Sequence, residues 1–172
     1  MELRIFISEI VKKWQEFNYA TNNSVGLSGP SSHIIGEKGE NYALKKLKKY
    51  FPDYDFIKTA GSKSPADIIG LKKGRKYWHF ALYQVKTSLY NSKLSENIPE
   101  KETLPLLAKI IKENFKTSKQ TKRVRNRPLL ITIGYVGIQS TKTKNGYRNK
   151  IIKSVPYSKT FTLNNPLCII KI

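Results

Sequence analysis

The chain has 172 residues, of which 32 are Lys or Arg and 12 are Asp or Glu, so its formal net charge is +20. Hydrophobic residues make up 39% and aromatic residues 11%, a composition that excludes a disordered chain and allows one domain to bury a core. No apolar run approaches the roughly 18 residues that a membrane helix needs. Cys168 is the single cysteine, which excludes an intrachain disulfide and a thiolate zinc cluster. With no signal-peptide pattern at the N-terminus, these features predict an intracellular protein without a membrane segment.

Hydrophobic periodicity and turn-forming residues predict an alternation of helices and strands along the chain. Two amphipathic helices, at 2–18 and about 36–50, flank a polar loop at 21–32, and strands follow at 55–59, 66–71 and 77–87. A helix at about 101–117 precedes strands at 129–138 and 147–155, and a further short strand is predicted at 167–172. This order predicts an α/β layer fold with a mixed central sheet flanked by helices. Residues 1–33 form an N-terminal helix and loop, and residues 34–172 form the main part of a single compact domain.

The second predicted helix carries a carboxylate on its apolar stripe. Glu40 precedes Leu44, Leu47 and Phe51 at spacings of four, three and four residues, which places all four on one helix face. A carboxylate on a buried face needs a partner, because an unpaired buried charge is costly. Alternatively, Glu40 favours the positive N-terminal end of its own helix. Glu37, one turn earlier, competes with it for any role.

Two further polar positions stand out in the predicted strands. Asp67 lies at the start of an apolar strand, where it either accepts turn hydrogen bonds or serves a site. Gln84 and Lys86 follow an apolar run on the longest strand, and the two-residue period puts them on one face. A lysine there needs anionic partners, unless the strand end simply emerges into water.

These residue types suit the hydrolysis of a phosphodiester bond. Such a reaction needs a hard divalent cation, a positioned water and positive charge near the developing oxyanion. Mg²⁺ prefers oxygen ligands, which the carboxylates of Asp67 and Glu40, the side-chain carbonyl of Gln84 and the backbone carbonyl of Val85 would provide. Lys86 would orient or deprotonate the attacking water, or neutralise the phosphate.

The order of these motifs resembles the PD-(D/E)XK nuclease superfamily. The segments Gly36–Glu40, Ala60–Ser62, Pro65–Ile69 and Gln84–Lys86 are most similar to archaeal Holliday junction resolvases. The resemblance covers about residues 34–90. It implies the αβββαβ core of restriction endonucleases, here with an extra N-terminal helix, and Mg²⁺- or Mn²⁺-dependent cleavage of branched or double-stranded DNA by a homodimer.

The same resemblance implies a role for each matched residue. Glu40 resembles the acidic residue of the first helix, Asp67 the metal-bridging aspartate, Gln84 the second ligand, Lys86 the catalytic lysine and Ser62 the serine near the scissile phosphate. Gln84 stands where these resolvases usually carry Glu. Because a Gln-x-Lys motif is found in Mrr-like restriction enzymes and some homing endonucleases, a restriction- or homing-type nuclease is an alternative, and an inactive DNA-binding relative is another.

The C-terminal half of the chain is strongly basic. Between residues 109 and 153, Glu113 is the only acidic residue. The stretch 116–127 is predicted to be a loop that follows a DNA backbone, because Ser, Thr, Asn and Gln interleave with its cations. The residues expected to contact nucleic acid are Lys38, Lys63, Lys119, Lys122, Arg123, Arg125 and Arg127. No helix-turn-helix or zinc finger is evident, which favours recognition of DNA shape over sequence.

Overall fold

The computed structural model describes residues 3–20, 30–59, 64–89, 103–124, 126–144 and 146–155. The helices are α1 (Leu3–Ala20), α2 (Pro30–Tyr50) and α3 (Thr103–Thr117), and a short 3₁₀ turn spans Lys119–Thr121. The strands are β1 (Asp55–Lys58), β2 (Ile68–Lys73), β3 (Trp78–Leu89), β4 (Leu129–Thr143) and β5 (Gly146–Val155). The predicted order of helices and strands is confirmed, while the strand predicted at 167–172 lies outside the described residues.

The strands form one mixed sheet in the order β1-β2-β3-β4-β5. Neighbouring strands are antiparallel except β3 and β4, which are parallel, with Trp78 paired with Leu129 and Gln84 paired with Tyr135. Helix α3 lies between β3 and β4 in the chain, as a parallel pair requires of its connection. Over the residues that the structure describes, the protein is therefore an α/β fold with a mixed five-stranded sheet and three helices.

The sheet is covered on both faces, which explains why β3 is buried along nearly its whole length. One core cluster joins α1 and α3 to the face that carries Phe80, Leu82 and Ile133. The other joins α2 to the opposite face, which carries Tyr83 and Val85 of the same strand. Helix α1 contributes Phe6, Ile7, Ile10 and Trp14 to the first cluster. The alternation of β3 side chains between the two clusters fixes the face on which each later residue of the strand lies.

Helix α2 begins at Pro30, earlier than the sequence pattern predicts. Proline suits the first turn of a helix because its missing N–H has no partner there, so the segment predicted as the end of a polar loop is helical. Glu37 and Glu40 consequently lie inside the helix and not in its first turn. The predicted alternative, in which Glu40 is favoured by the helix N-terminus, loses its basis because that effect is confined to the first turn.

A glycine allows α2 to approach β3 closely. Gly39 is buried, and a Cβ atom at this position would clash with the hydroxyl of Thr87 on β3. The close approach brings the middle of α2 against the strand directly after Lys86. Of the two glycines in the segment Gly36–Glu40, Gly39 therefore has a packing role, whereas Gly36 has open space around it.

A buried polar chain closes the opposite end of the sheet. The Tyr54 hydroxyl and His79 Nδ1 are 2.8 Å apart, and His79 Nε2 is 3.1 Å from Thr132 Oγ1. Because Thr132 Oγ1 donates to the carbonyl of Phe80, it accepts from the Nε2–H of a neutral His79, and Tyr54 donates to Nδ1. Burial, assisted by the charge of Lys72, lowers the pKa of His79 to about 4. Burial likewise raises the pKa of Tyr54 to about 12.

Candidate metal and nucleic-acid site

Of the predicted site residues, the structure brings Asp67 and the Gln84–Lys86 segment together at one end of the sheet, while Glu40 reaches the same end from the opposite face. Strand β1 ends at Lys58, which pairs with Ile68, the first residue of β2, and Ile68 pairs with Tyr83 of β3. Asp67 precedes Ile68, and its N–H bonds to the carbonyl of Tyr83, directly before Gln84. The sheet topology therefore brings together segments that are far apart in sequence.

Asp67 is tied to both neighbouring strands although it lies just before β2. Its backbone N–H donates to the carbonyl of Tyr83 at 2.8 Å, and its carbonyl accepts from the N–H of Thr59 at 2.9 Å. The carboxylate oxygen Oδ2 accepts a 2.7 Å hydrogen bond from the N–H of Val85. The carboxylate of Asp67 is thus placed against the backbone of the Gln84–Lys86 segment. The predicted strand start at residue 66 is two residues too early, because the N–H of Val85, which a regular ladder would pair with a backbone carbonyl, bonds to the Asp67 side chain.

Gln84 and Lys86 share one face of β3. Tyr83 and Val85 belong to the cluster under α2, so Gln84 and Lys86 alternate to the face shared with Leu82. Gln84 is only 5% exposed, its side-chain oxygen Oε1 is buried, and Lys86 is half-buried. The N–H and C=O of a strand residue point to the same neighbouring strand, so the Val85 carbonyl faces the side where Asp67 lies.

Glu40 reaches this end of the sheet from the α2 side. Its Oε2 is 3.6 Å from Lys58 Nζ, and Glu37 Oε1 is at the same distance from that nitrogen. The Glu40 side chain is 21% exposed and that of Glu37 is 54% exposed. Strand alternation places Gln84 and Lys86 on the face opposite α2. The structure therefore presents two adjoining groups: Asp67 with Gln84 and Lys86, and Glu40 with Glu37 and Lys58.

Two residues of this region were missed by the sequence analysis. Lys58 joins the carboxylates of α2 to the edge of the sheet. Thr59 holds the end of β1 against β2, since its hydroxyl contacts the carbonyls of Ala66 at 2.5 Å and Asp67 at 3.2 Å. Their position was the available indication, because Lys58 and Thr59 place a cation and a hydroxyl group at the end of a short apolar strand.

The donor atoms at this end of the sheet suit a hard divalent cation. Carboxylate, amide and backbone oxygens are the ligands that Mg²⁺ accepts, with water completing the shell. Asp67 adjoins the Gln84–Val85 segment, whereas Glu40 and Glu37 are paired with Lys58 on the α2 side, so a second carboxylate from α2 stays a prediction. Within the described part of the chain, no group of three or more His, Cys, Asp or Glu residues is arranged to hold a metal ion. A site here depends on amide, backbone and water oxygens beside its carboxylates.

Most of the basic residues expected to contact nucleic acid lie away from this site. Among them, Lys38, Lys119, Lys122, Arg123 and Arg127 are exposed, whereas Lys63 and Arg125 lie outside the described residues. Ser62, the serine expected near the scissile phosphate, lies outside them too.

The stretch predicted as an extended loop is instead compact. The 3₁₀ turn at Lys119–Thr121 is anchored by the buried Thr121, whose hydroxyl donates to the carbonyl of Phe115 at 2.6 Å. Ser118 caps this turn and donates to Glu9 of α1 at 2.8 Å. Hydroxyl groups that the sequence offered as phosphate contacts thus bond to the protein's own backbone and side chains, and the contact of this segment with DNA stays a prediction.

This compact segment leads to the far end of the sheet. Arg127 Nη1 donates to the carbonyl of Gly74 in the β2–β3 hairpin, at 3.4 Å, and the N–H of Trp78 donates to Pro128. Trp78 and Gln84 are six residues apart on β3, which separates the two ends by about 20 Å. The basic segment is therefore not a wall of the Asp67 site.

Comparison with protein-family models and with curated proteins finds no match for this chain. In the described residues, no helix has both the length and the apolar character that crossing a bilayer requires.

Proposed function

We propose that the protein is a divalent-metal-dependent DNA endonuclease that prefers branched DNA. The observation that carries this proposal is the hydrogen bond between Asp67 Oδ2 and the N–H of Val85, which sets a carboxylate against the Gln84–Lys86 segment. The resemblance of the motifs to PD-(D/E)XK nucleases, and the αβββαβ order of α2, β1, β2, β3, α3 and β4, support the same assignment. The charge of +20 favours a polyanionic substrate.

In the proposed site, Asp67, Gln84 and the Val85 carbonyl would hold Mg²⁺ or Mn²⁺, and Glu40, at the same end of the sheet but on the α2 side, would supply a further carboxylate. The bound ion would lower the pKa of a coordinated water and stabilise negative charge on the phosphate. The hydrogen bond from Val85 keeps Asp67 in position for this task. Lys86 lies on the same face as Gln84, where its ammonium group neutralises the scissile phosphate and orients the attacking water.

A structure-selective nuclease is favoured over a sequence-specific one. The described helices α1, α2 and α3 pack against the sheet through their apolar residues, so none stands clear of the domain to enter a major groove. A restriction- or homing-type activity remains the closest alternative, since Gln84 in place of Glu fits those relatives. As a homodimer, which the resemblance implies, the protein would present two such sites to the two strands of a junction.

A binding protein that has lost turnover is the second candidate, and Gln84 is the observation that favours it. One carboxylate fewer at the ion weakens metal affinity, while the basic surface would still hold DNA. The two candidates are separated by incubating the protein with four-way junction, flap and linear DNA, with Mg²⁺ and with EDTA. Mg²⁺-dependent cleavage that is fastest on a branched substrate supports the nuclease. Tight binding without cleavage of any substrate would overturn it in favour of the binding protein.

A further inference from the structure

We infer that the groove between α1 and α2, along the outer edge of β1, binds one unpaired DNA strand and leads it to the proposed site. This inference rests on the proposed function and adds a second nucleic-acid surface to it. The groove has a volume of about 610 Å³. Its two walls are helices that pack on opposite faces of the sheet, so the groove runs over the sheet edge itself.

The lining of the groove is positively charged. Arg4 and Lys12 extend from α1, Lys48 extends from α2 and Lys58 extends from β1, and no carboxylate is among the described residues that line it. Arg4, Lys12 and Lys48 are exposed to solvent. Ser8 and Gln15 add hydrogen-bonding groups of the kinds that contact phosphate and sugar oxygens. A polyanion is the ligand that this lining complements.

The floor of the groove offers backbone donors as well. Strand β1 is the last strand on this side of the sheet in the part of the chain that the structure describes. Because the N–H of Thr59 points to β2, alternation turns the N–H groups of Phe56 and Lys58 outward, toward the groove. Backbone N–H groups are common phosphate donors in nucleic-acid complexes.

The groove ends at the proposed site. Thr59, which lines it, bonds to the carbonyl of Asp67, and Lys58, which also lines it, contacts Glu40. The basic segment at 119–127 lies at the other end of the sheet, so it does not provide this continuity. A strand held in the groove would have its phosphates delivered beside the carboxylates.

A single strand fits this groove better than a duplex or a peptide. The cations of the groove follow one sheet edge between two helices, an arrangement that suits the single line of phosphates of one strand. Among the described residues that line the groove, Phe56 alone is aromatic, and it is 5% exposed and stacked on Tyr54, so the groove would follow the backbone and not stack bases. An added peptide strand is disfavoured by the lysines at this edge, which discourage pairing between strands.

The test compares two triple variants with the same loss of charge. In the groove triple, Arg4, Lys12 and Lys48 are each changed to Gln. In the control triple, Lys73, Arg75 and Lys76 of the exposed β2–β3 hairpin are each changed to Gln. Binding to a labelled single strand of about 16 nucleotides is measured by fluorescence anisotropy in EDTA, between about 50 and 200 mM salt. The groove triple should weaken binding by roughly tenfold or more and reduce the salt slope by about 2, at about 0.7 per lost phosphate contact. The control triple should leave the slope unchanged.

A variant without charge change provides an independent test. Ser8 is exposed on α1 inside the groove, and Ser8→Trp would fill the groove while the net charge stays constant. It should weaken single-strand binding and leave duplex binding unchanged. Equal losses for both triples, no effect of Ser8→Trp, or a groove triple that loses affinity for an acidic peptide and keeps affinity for DNA would each overturn the inference.

These results test the groove independently of the proposed nuclease activity, because binding is measured without a metal ion. Cleavage by the wild type with no effect of the groove variants would refute the groove alone. A groove that binds DNA in a protein that cleaves no substrate would refute the nuclease alone.

Discussion

The carboxylate of Asp67 accepts a 2.7 Å hydrogen bond from the backbone N–H of Val85. This bond replaces a ladder bond at the point where β2 begins, and it fixes an acidic group beside a strand that carries Gln84 and Lys86 on one face. A carboxylate used only as a turn acceptor would bond within its own loop. Asp67 instead spans to another strand, which is the arrangement that a shared ligand site needs.

The two glutamates of α2 are expected to differ in function. Glu40→Gln should slow cleavage by roughly 100-fold, a loss of about 3 kcal/mol of transition-state stabilisation. Glu37→Gln should leave the rate within a few-fold. Each variant loses one ion pair to Lys58 at the same 3.6 Å distance, so each is a control for the effect of that loss on the stability of the other. Single-turnover cleavage of a four-way junction is the measurement, and a larger loss for Glu37→Gln would assign the role to Glu37.

A carboxylate at position 84 should make the stability of the folded protein depend on bound Mg²⁺. Gln84→Glu buries a second carboxylate close to that of Asp67, so the apo form should lose about 1–3 kcal/mol. Mg²⁺ should then raise the Tm of this variant more than that of the wild type, since binding to the folded state alone stabilises it. Gln120→Glu, in the remote 3₁₀ turn, is the matched control. Equal Mg²⁺ shifts for both variants would argue against a metal ion at Gln84.

The close contact between α2 and β3 depends on Gly39. Gly39→Ala should destabilise the fold by about 1–3 kcal/mol, because the new methyl group meets the hydroxyl of Thr87. Thr87→Ala should restore part of that loss in the double variant. Gly36→Ala, on the same helix with open space around it, should instead stabilise by about 0.5–1 kcal/mol. Chemical denaturation measures all four, and equal effects at the two glycines would contradict this packing.

The buried His79 predicts a pH dependence of stability. Its pKa is about 4 in the folded protein and about 6.5 in the unfolded chain. Between these values the unfolded chain binds the proton and the folded protein does not, so stability falls as the pH drops through this window, by up to about 3 kcal/mol. His79→Gln should remove this contribution, as measured by the free energy of unfolding from pH 7 to pH 4. An unchanged pH slope would show that folding does not lower the pKa of His79.

The sequence predicted the elements of the fold better than their ends. Periodicity alone placed β3 and α3, because the apolar residues of a buried strand and an amphipathic helix repeat with different periods. The start of α2 was missed because Ser31 and Ser32 are typical of loops, and their helical state depends on tertiary packing.

The candidate site was also predictable in part, because sequence patterns locate strands. The pattern selected Asp67 and the Gln84–Lys86 segment, whose proximity follows from strand order. It did not show that α2 lies on the face opposite Gln84, nor that Lys58 bridges to Glu40, since both depend on how the layers are stacked. The basic segment after α3 shows the same limit, because composition does not reveal which hydroxyl groups are already bonded within the protein.

The most direct test of the central claim is Mg²⁺-dependent cleavage of a four-way junction by the wild type and by Asp67→Asn, purified in parallel. The asparagine keeps an oxygen that can accept from Val85, so the fold and DNA affinity should persist, while loss of the charge removes the metal ligand. We predict cleavage by the wild type, and a loss of at least roughly 100-fold with unchanged DNA binding for the variant. Equal cleavage by the two proteins would contradict the assignment of Asp67, and no cleavage by either would contradict the nuclease.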